Sequence, residues 1–342
     1  MGIVEAPRLQ DVARLAGVSL ATASRVLRHT APVAEETRHR VEAAIETLGY
    51  RPSSALPERR RTLSTIALII TDIMNPFFPE VVRGVEDAAA EYGLALMLCH
   101  TSEDPQREQQ ILADLAERHV DGVIACATRM RAEDLIAFHE HSHIPMVVVN
   151  RRVQHPEIPC IVIDFENAMY RATQHLLNLG HTNIAYLAGH PKSETSHARQ
   201  RGILRALNEH GLTLPSEWCA YSFPGVEGGF QAMSSLLAQP RTQRPTAIIA
   251  YNDIMALGAL HAIRSHDLRI PEDISVVGFD GIAMAAHSNP PLTTIDQPKY
   301  RIGQLALQLL LPALQGSEAL KHSYLLMESP LMIRESTGPF QR

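Results

Sequence analysis

Cysteine is scarce and scattered. The four residues, Cys99, Cys126, Cys160 and Cys219, form no zinc-ligand spacing and no disulfide framework. Three of them sit in apolar runs, so all read as small core residues in a reducing environment. No apolar run is long enough to span a bilayer, and the N-terminus lacks the apolar core of an export signal. A cytoplasmic protein with no membrane partner is expected. Catalytic fingerprints are missing as well. There is no G-x-S-x-G and no phosphate-cradling P-loop, and "GVEGGF" (225–230) lacks the glycine spacing of a dinucleotide site. Neither enzyme activity nor a cofactor is expected.

One motif tests that expectation. "HEHSH" (139–143) matches the H-E-x-x-H pattern of zinc proteases, which needs both histidines on one face of a continuing helix and Glu140 as base. Pro145 pushes Ile144 out of helical geometry, and "PMVVVN" after it reads as a strand. His143 then falls at or beyond the helix end. With 17 His in the chain, the match reads as chance, and no metal is expected.

Apolar residues make up 45% of the 342 positions and charged ones 20%, an ordinary globular balance with room for a small unit and larger domains. The charge is uneven. Residues 1–61 hold ten Arg, no Lys and seven acidic residues, a balance of +3; with −6 overall, the remainder carries −9. A basic head on an acidic body suits a polyanionic partner.

The head reads as helical. Leu9, Val12, Leu15 and Ala16 recur at helical spacing, and Gly17 can take the left-handed conformation that ends a helix. Ser19 can cap a second helix, with Ala23, Val26 and Leu27 facing inward and Leu20, Ala21, Thr22, Ser24, Arg25 and Arg28 left outside. Val41, Ala44, Ile45 and Leu48 define a third helix ending at Gly49. Two short helices joined by a tight Gly-Val-Ser turn make a helix-turn-helix, whose second helix enters the DNA major groove. Its small residues permit close approach to base edges, while Thr22, Ser24 and Arg25 carry donors. "RPSSALPERRR" (51–61) follows as a linker whose Arg59, Arg60 and Arg61 are placed for phosphates or a narrow minor groove.

From about Leu63, short apolar strands alternate with amphipathic helices. "TIALII", "LALMLC", "VDGVIAC", "PMVVVN", "CIVID", "NIAYLAG", "TAIIAY" and "ISVVGFD" read as strands, with helices near 78–92, 105–119, 167–179, 199–210, 227–238 and 253–265. The alternation predicts an α/β fold of doubly wound parallel sheets in two lobes. The expected divisions are a headpiece over 1–50, a linker over 51–62 and a two-lobed domain over 63–342. Within the last, the N-lobe takes about 63–163 plus 295–324, and the C-lobe 164–294 plus 325–342.

Ligands of such sheets bind beyond the carboxyl ends of the strands. Those positions hold Asn75, Phe77 and Phe78; Asn150, Arg151 and Arg152; Asp164; Arg199; Asn252 and Asp253; Asp280; and Gln297. Carboxylates, amides and a forked Arg around aromatic rings suit a polyhydroxylated ligand. Adjacent Phe77 and Phe78 cannot share one helix face, so at least one is open to a ligand. Asn252 or Asp253 equally suits a helix cap.

"LQDVARLAGVSLATASRVL", "NPFF", "ARQRG", "NDIMALGAL", "ISVVGFDG" and "PLTTIDQP" together resemble the lactose-repressor family of transcription regulators, in the family's order and over about Leu9 to Pro339. The resemblance implies an N-terminal helix-turn-helix headpiece, a hinge and a two-lobed domain similar to periplasmic sugar-binding proteins. It also implies homodimers or tetramers on palindromic operator DNA, with a small effector that changes lobe orientation. The absence of a heptad tail after "RESTGPF" favours the dimer. By position, Leu20, Ala21 and Arg25 match the family's base-reading residues, and Thr22 and Ser24 those that mostly contact the DNA backbone. Asn75, Phe77, Phe78, Arg199, Asn252, Asp280 and Gln297 match an effector set similar to the ribose-binding type; Asn150 stands where many sugar binders carry Asp. Purine-responsive members share the frame, but their extra basic residue in the loop after "AG" is not evident here, where Ser193 stands near that place, which favours a sugar. The hinge departs from the family. Arg59 occupies the place of the leucine that wedges into the minor groove, Leu56 comes a turn early, and Pro57 interrupts the helix.

Overall fold

The computed structural model describes residues 9–19, 22–23, 25–26, 33–48, 64–191, 193–317 and 324–341. The chain divides into two units, Met1–Thr62 and Leu63–Arg342.

In the first unit, the Leu9–Leu15 helix ends where Gly17 turns to φ 62°, and the Val18 amide reaches back to the Ala13 carbonyl at 3.0 Å. Ser19 then accepts from the Thr22 amide at 3.1 Å, the cap its position predicts. Residues 22–23 and 25–26 are helical, and Glu35–Leu48 forms a longer helix. Val12, Ala13, Ala16, Ala23, Val26, Val41 and Ala44 close a small core, leaving Arg25 exposed and Thr22 half-buried. Leu20, Ala21, Ser24, Arg59, Arg60 and Arg61 lie outside the described residues, as does the hinge around Leu56 and Pro57.

The second unit contains two six-stranded sheets. The first joins β1 (Thr65–Ile70), β2 (Ala95–His100), β3 (Gly122–Cys126), β4 (Met146–Val149), β5 (Cys160–Ile163) and β11 (Tyr324–Met327), in the order β2-β1-β3-β4-β5-β11. The second joins β6 (Ile184–Ala188), β7 (Cys219–Tyr221), β8 (Ala247–Ala250), β9 (Ser275–Asp280), β10 (Thr293–Asp296) and β12 (Leu331–Met332), in the order β7-β6-β8-β9-β10-β12. All pairings are parallel except β10 with β12. Central strands such as β3 and β8 are buried at every residue, because helices cover both faces; hence their unbroken apolar runs. In each lobe the strand order reverses between the first and third strands, and the crevice beyond their carboxyl ends is where such sheets bind ligands.

Helix starts follow their caps. Asp104 accepts from the Gln106 amide ahead of Pro105–Glu117, and Ser193 from the Ser196 amide ahead of Glu194–Glu209. The latter helix begins five residues before the predicted Arg199, because its first turn, "ETSH", carries no apolar periodicity. The chain crosses between lobes after β5, β10 and β11. Two lobe boundaries differ from expectation. Residues 295–296 pair with β9, as Ile295 with Phe279, and so join the second lobe; Leu325–Met327 pair with β5, as Leu325 with Ile161, and join the first. Apolar patterning marks a strand but not the sheet that receives it.

Candidate effector cleft

The carboxyl ends of both sheets border one small cavity of about 40 Å³. Seven expected residues line it: Asn75, Phe77 and Phe78 at the start of the Phe77–Glu91 helix, Asn150 after β4, and Arg199, Asn252 and Asp280, with Gln297 beyond β10 as an eighth. The two rings stack edge to face, 5.1 Å apart, and both are buried.

Arg199 is the electrostatic centre. It is 3% exposed, and its guanidinium carbon lies 4.3 Å from the ring centroids of Phe165, Tyr251 and Phe279. Those π-faces offset part of the cost of burying the cation. Its Nη2 stands 3.9 Å from Asp280 Oδ1, and its Nε has no partner. Asp280 ends β9 in the left-handed region, at φ 114°. Gln297 Nε2 donates to its Oδ1 at 2.7 Å. Burial pushes the Asp280 carboxyl up to about 6, although Arg199, Gln297, Lys299 and Asn75 all favour the anion.

Asn150 is also left-handed, at φ 64°. Its Oδ1 and the Oε1 of Gln297 are buried without a partner. An unpaired buried polar atom costs about 1–3 kcal/mol, so these two acceptors and the Arg199 Nε are positions a ligand would satisfy. Other expected residues are already engaged. Asn252 caps Asp253–Ser265 by accepting from the Met255 amide at 2.9 Å, while its Nδ2 donates to the Pro224 carbonyl at 3.1 Å. Asp253 accepts from the Thr294 hydroxyl and the Ile282 amide. Burial, reinforced by Asp280, holds its carboxyl well above the usual range.

Arg151 and Asp164 fall outside the walls of this cleft. Asp164 caps Phe165–Asn178, accepting from the Asn167 amide at 3.0 Å. Arg151 donates to the Met130 carbonyl and, at 2.8 Å, to Glu194. In "HEHSH", the helix ends at Ser142 and His143 turns to φ 57°. His139 Nδ1 donates to the Ile144 carbonyl at 2.9 Å, and among the described residues no group of three His, Cys, Asp or Glu side chains could hold a metal.

Sequence reasoning missed Glu103, Arg129, Thr195 and Tyr251, which also line the cleft. Arg129 pairs with Glu103 at 2.5 Å, and its amide donates to the buried Glu108 at 2.9 Å. Although burial alone would raise the Tyr251 phenol, Arg129 and Arg199 hold it below its usual value. Tyr251 and Arg129 each follow a strand, which was the available signal. Lys299, also missed, donates to the carbonyls of Asp280 at 3.0 Å and Gly281 at 2.8 Å and to Asp296 at 3.1 Å, bracing the crossover beneath Asp280.

A helix-turn-helix unit and a two-lobed body with a buried polar cleft define a ligand-controlled DNA-binding regulator. Comparison with known proteins agrees. Residues 63–326 match the model of periplasmic binding proteins and the sugar-binding domain of the LacI family, and residues 8–53 match that of bacterial regulatory proteins of the lacI family. The HTH-type transcriptional repressor PurR of Aliivibrio fischeri is 38% identical over 91% of this chain and 92% of its own. Among solved structures, the complex of the transcriptional regulator CelR with cellobiose aligns at TM-score 0.72 and 33% identity, covering 96% of this chain and 99% of that one. The lac repressor dimer bound to operator and the anti-inducer ONPF aligns at TM-score 0.75 and 29% identity, covering 98% and 100%. The chain belongs to the LacI family of transcriptional regulators. Among the described residues no helix is long and apolar enough to cross a membrane.

Proposed function

We propose that this regulator is a cytoplasmic repressor that binds its operator as a homodimer, acts by binding and not by catalysis, and is controlled by a sugar held between the lobes. The observation that carries the effector reading is the set of unpaired buried atoms, Asn150 Oδ1, Gln297 Oε1 and Arg199 Nε, around a ring-lined cleft. Two acceptors and a forked cation satisfy hydroxyls, and the rings cover the apolar face of a pyranose or furanose. Headpiece 1–50 carries the DNA contacts: Leu20, Ala21 and Arg25 toward bases, Thr22 and Ser24 toward phosphates. Arg59, Arg60 and Arg61 add phosphate contacts from the linker 51–62.

A purine effector is the second reading, favoured by likeness to the repressors named PurR. Against it, Ser193 stands near the place where purine-responsive members carry a basic residue, and its hydroxyl is spent on the cap of Glu194–Glu209. A thermal-shift screen of sugars and purines separates the two, since a ligand binding only the folded state raises the melting temperature. Arg199→Ala and Asp280→Ala should each weaken the active sugar by about 1–3 kcal/mol per lost contact while still shifting operator DNA. A wild-type response in either variant would remove the cleft from this role.

A further inference from the structure

The three chain crossings between the lobes are tied to one another. The Asp164 amide donates to the Met327 carbonyl at 3.1 Å and the Asp296 amide to the Pro330 carbonyl at 2.8 Å. Arg171, on the helix that follows the first crossing, donates to the Ser329 carbonyl at 2.7 Å. Beyond the third crossing, β12 pairs with β10, and residues 334–340 then run as a strap across the second lobe. Ser336 accepts there from the Val276 amide at 2.8 Å, and the Phe340 amide donates to the Leu179 carbonyl at 2.8 Å.

Two histidines hold this strap, and they differ in what a proton does to them. His181 Nε2 donates to the Gly338 carbonyl at 3.0 Å, so in the neutral ring Nδ1 accepts from the Thr246 hydroxyl, also at 3.0 Å. A second proton is accommodated, because Nδ1 can donate to Thr246 while the hydroxyl turns to the Asn183 carbonyl at 3.4 Å. His175 has no such outlet. The Arg334 amide donates to Thr293 Oγ1 at 2.9 Å; Thr293 and Thr337 hydroxyls stand 3.0 Å apart, and Thr337 stands 3.0 Å from His175 Nε2. All protons are paired in one direction only: Thr293 donates to Thr337, and Thr337 to the unprotonated Nε2. A proton on Nε2 reverses the last link. Either Thr337 or the fully buried Thr293 is then left with a hydroxyl proton and no acceptor in the cluster, a cost that burial makes large.

We propose that His175 is a proton-operated catch on the strap: neutral, it locks the strap and the crossings tied to it, and protonated, it releases them and loosens the joint between the lobes. Acidity is thus a second input to the regulator, separate from whatever occupies the cleft. The charged groups around the ring are already engaged. Arg171 and Arg334 spend their guanidinia on the carbonyls of Ser329 and Leu292, and Glu335 on the strap is exposed. On the Glu194–Glu209 helix, Arg201, Arg205 and Glu209 turn to Glu166, Asn167 and Tyr170. Burial, and then the charge of His181, hold the His175 pKa below its usual value. The unfolded chain therefore takes up the proton more readily, and the catch stabilises the fold above about pH 6.5 and fails as pH drops further.

Hydrogen exchange of the full chain at pH 8 and pH 5, each corrected for the intrinsic exchange rate, tests the catch. In the wild type, the amides of Gly338, Phe340 and Val276 should lose about tenfold or more of their protection at pH 5. His175→Gln keeps an acceptor that takes no proton, and should hold the same protection at both values. Thr337→Val removes the hydroxyl and should show weak protection at both, which carries the test if the glutamine variant does not fold. Equal protection at the two pH values in the wild type overturns the proposal. So does a His175→Gln variant that loses protection as the wild type does, or a Thr337→Val variant that keeps the wild-type pH dependence.

Discussion

At Asp280 the chain carries two costs together, a left-handed backbone and a carboxylate buried from water. Lys299 Nζ holds the Asp280 carbonyl while Gln297 and Arg199 face its carboxyl, so the surroundings enforce a conformation that an isolated Asp would avoid. The carboxyl is pushed up to about 6 by burial, above its value in the unfolded chain. The native state therefore binds the proton more tightly, and its contribution to stability is fully present below the unfolded value near 4 and lost as pH rises through about 6. The difference is on the order of 3 kcal/mol. Asp280→Asn mimics the protonated form. It should melt like wild type below pH 4 and above it at pH 8; equal melting temperatures at pH 8 would show that Asp280 is not buried as an anion.

Between elements, the closest contacts are made where side chains are smallest. The Phe77–Glu91 and Lys299–Leu314 helices meet at Gly84 and Gly303; a Cβ on Gly84 would lie 2.1 Å from the Tyr300 carbonyl oxygen, and one on Gly303 2.2 Å from that of Val81. Neither backbone can yield without separating the helices, so Gly84→Val should destabilise the body by about 1–3 kcal/mol or more, read as a lower urea midpoint. In the headpiece, Arg25 is exposed on its helix. If it forks onto a guanine, Arg25→Ala should weaken operator binding by about 1–3 kcal/mol and relax sequence preference. Neutralising Arg59, Arg60 and Arg61 should instead weaken binding to all sequences and flatten its salt dependence. A triple variant with the wild-type salt slope would exclude the linker from phosphate contact.

For the whole molecule, apolar side chains remain exposed on both lobes: Ile73, Met74 and Leu98 on the first, and Tyr221, Phe223, Val226 and Met284 on the second. The proposed homodimer would be expected to cover some of them. In a C2 dimer each subunit buries the same patch and the two headpieces read a two-fold operator. Sedimentation at working concentration should give twice the monomer mass, and Phe223→Glu with Met74→Glu should shift it toward monomer. A monomer or a tetramer in the wild type would contradict the assembly.

Much of this protein was legible in its residues alone. The breaker at Gly17, the cap at Ser19 and the run of strands such as "TIALII" and "TAIIAY" act locally, through backbone freedom, side-chain hydrogen bonds and apolar periodicity. Counting along the chain therefore sufficed to find them and the strand-end positions of Arg199 and Asp280. Only the tertiary structure decided which strand ends converge. It separated Arg151 and Asp164 from the inner cleft, moved residues 295–296 and 325–327 across the lobe boundary, and brought Glu103, Arg129, Tyr251 and Lys299 to the site. Those outcomes depend on which backbone pairs with which and on hydrogen bonds between segments distant in sequence. Neither property has a local period; only the strand-end positions of Arg129 and Tyr251 left a trace of them in the chain.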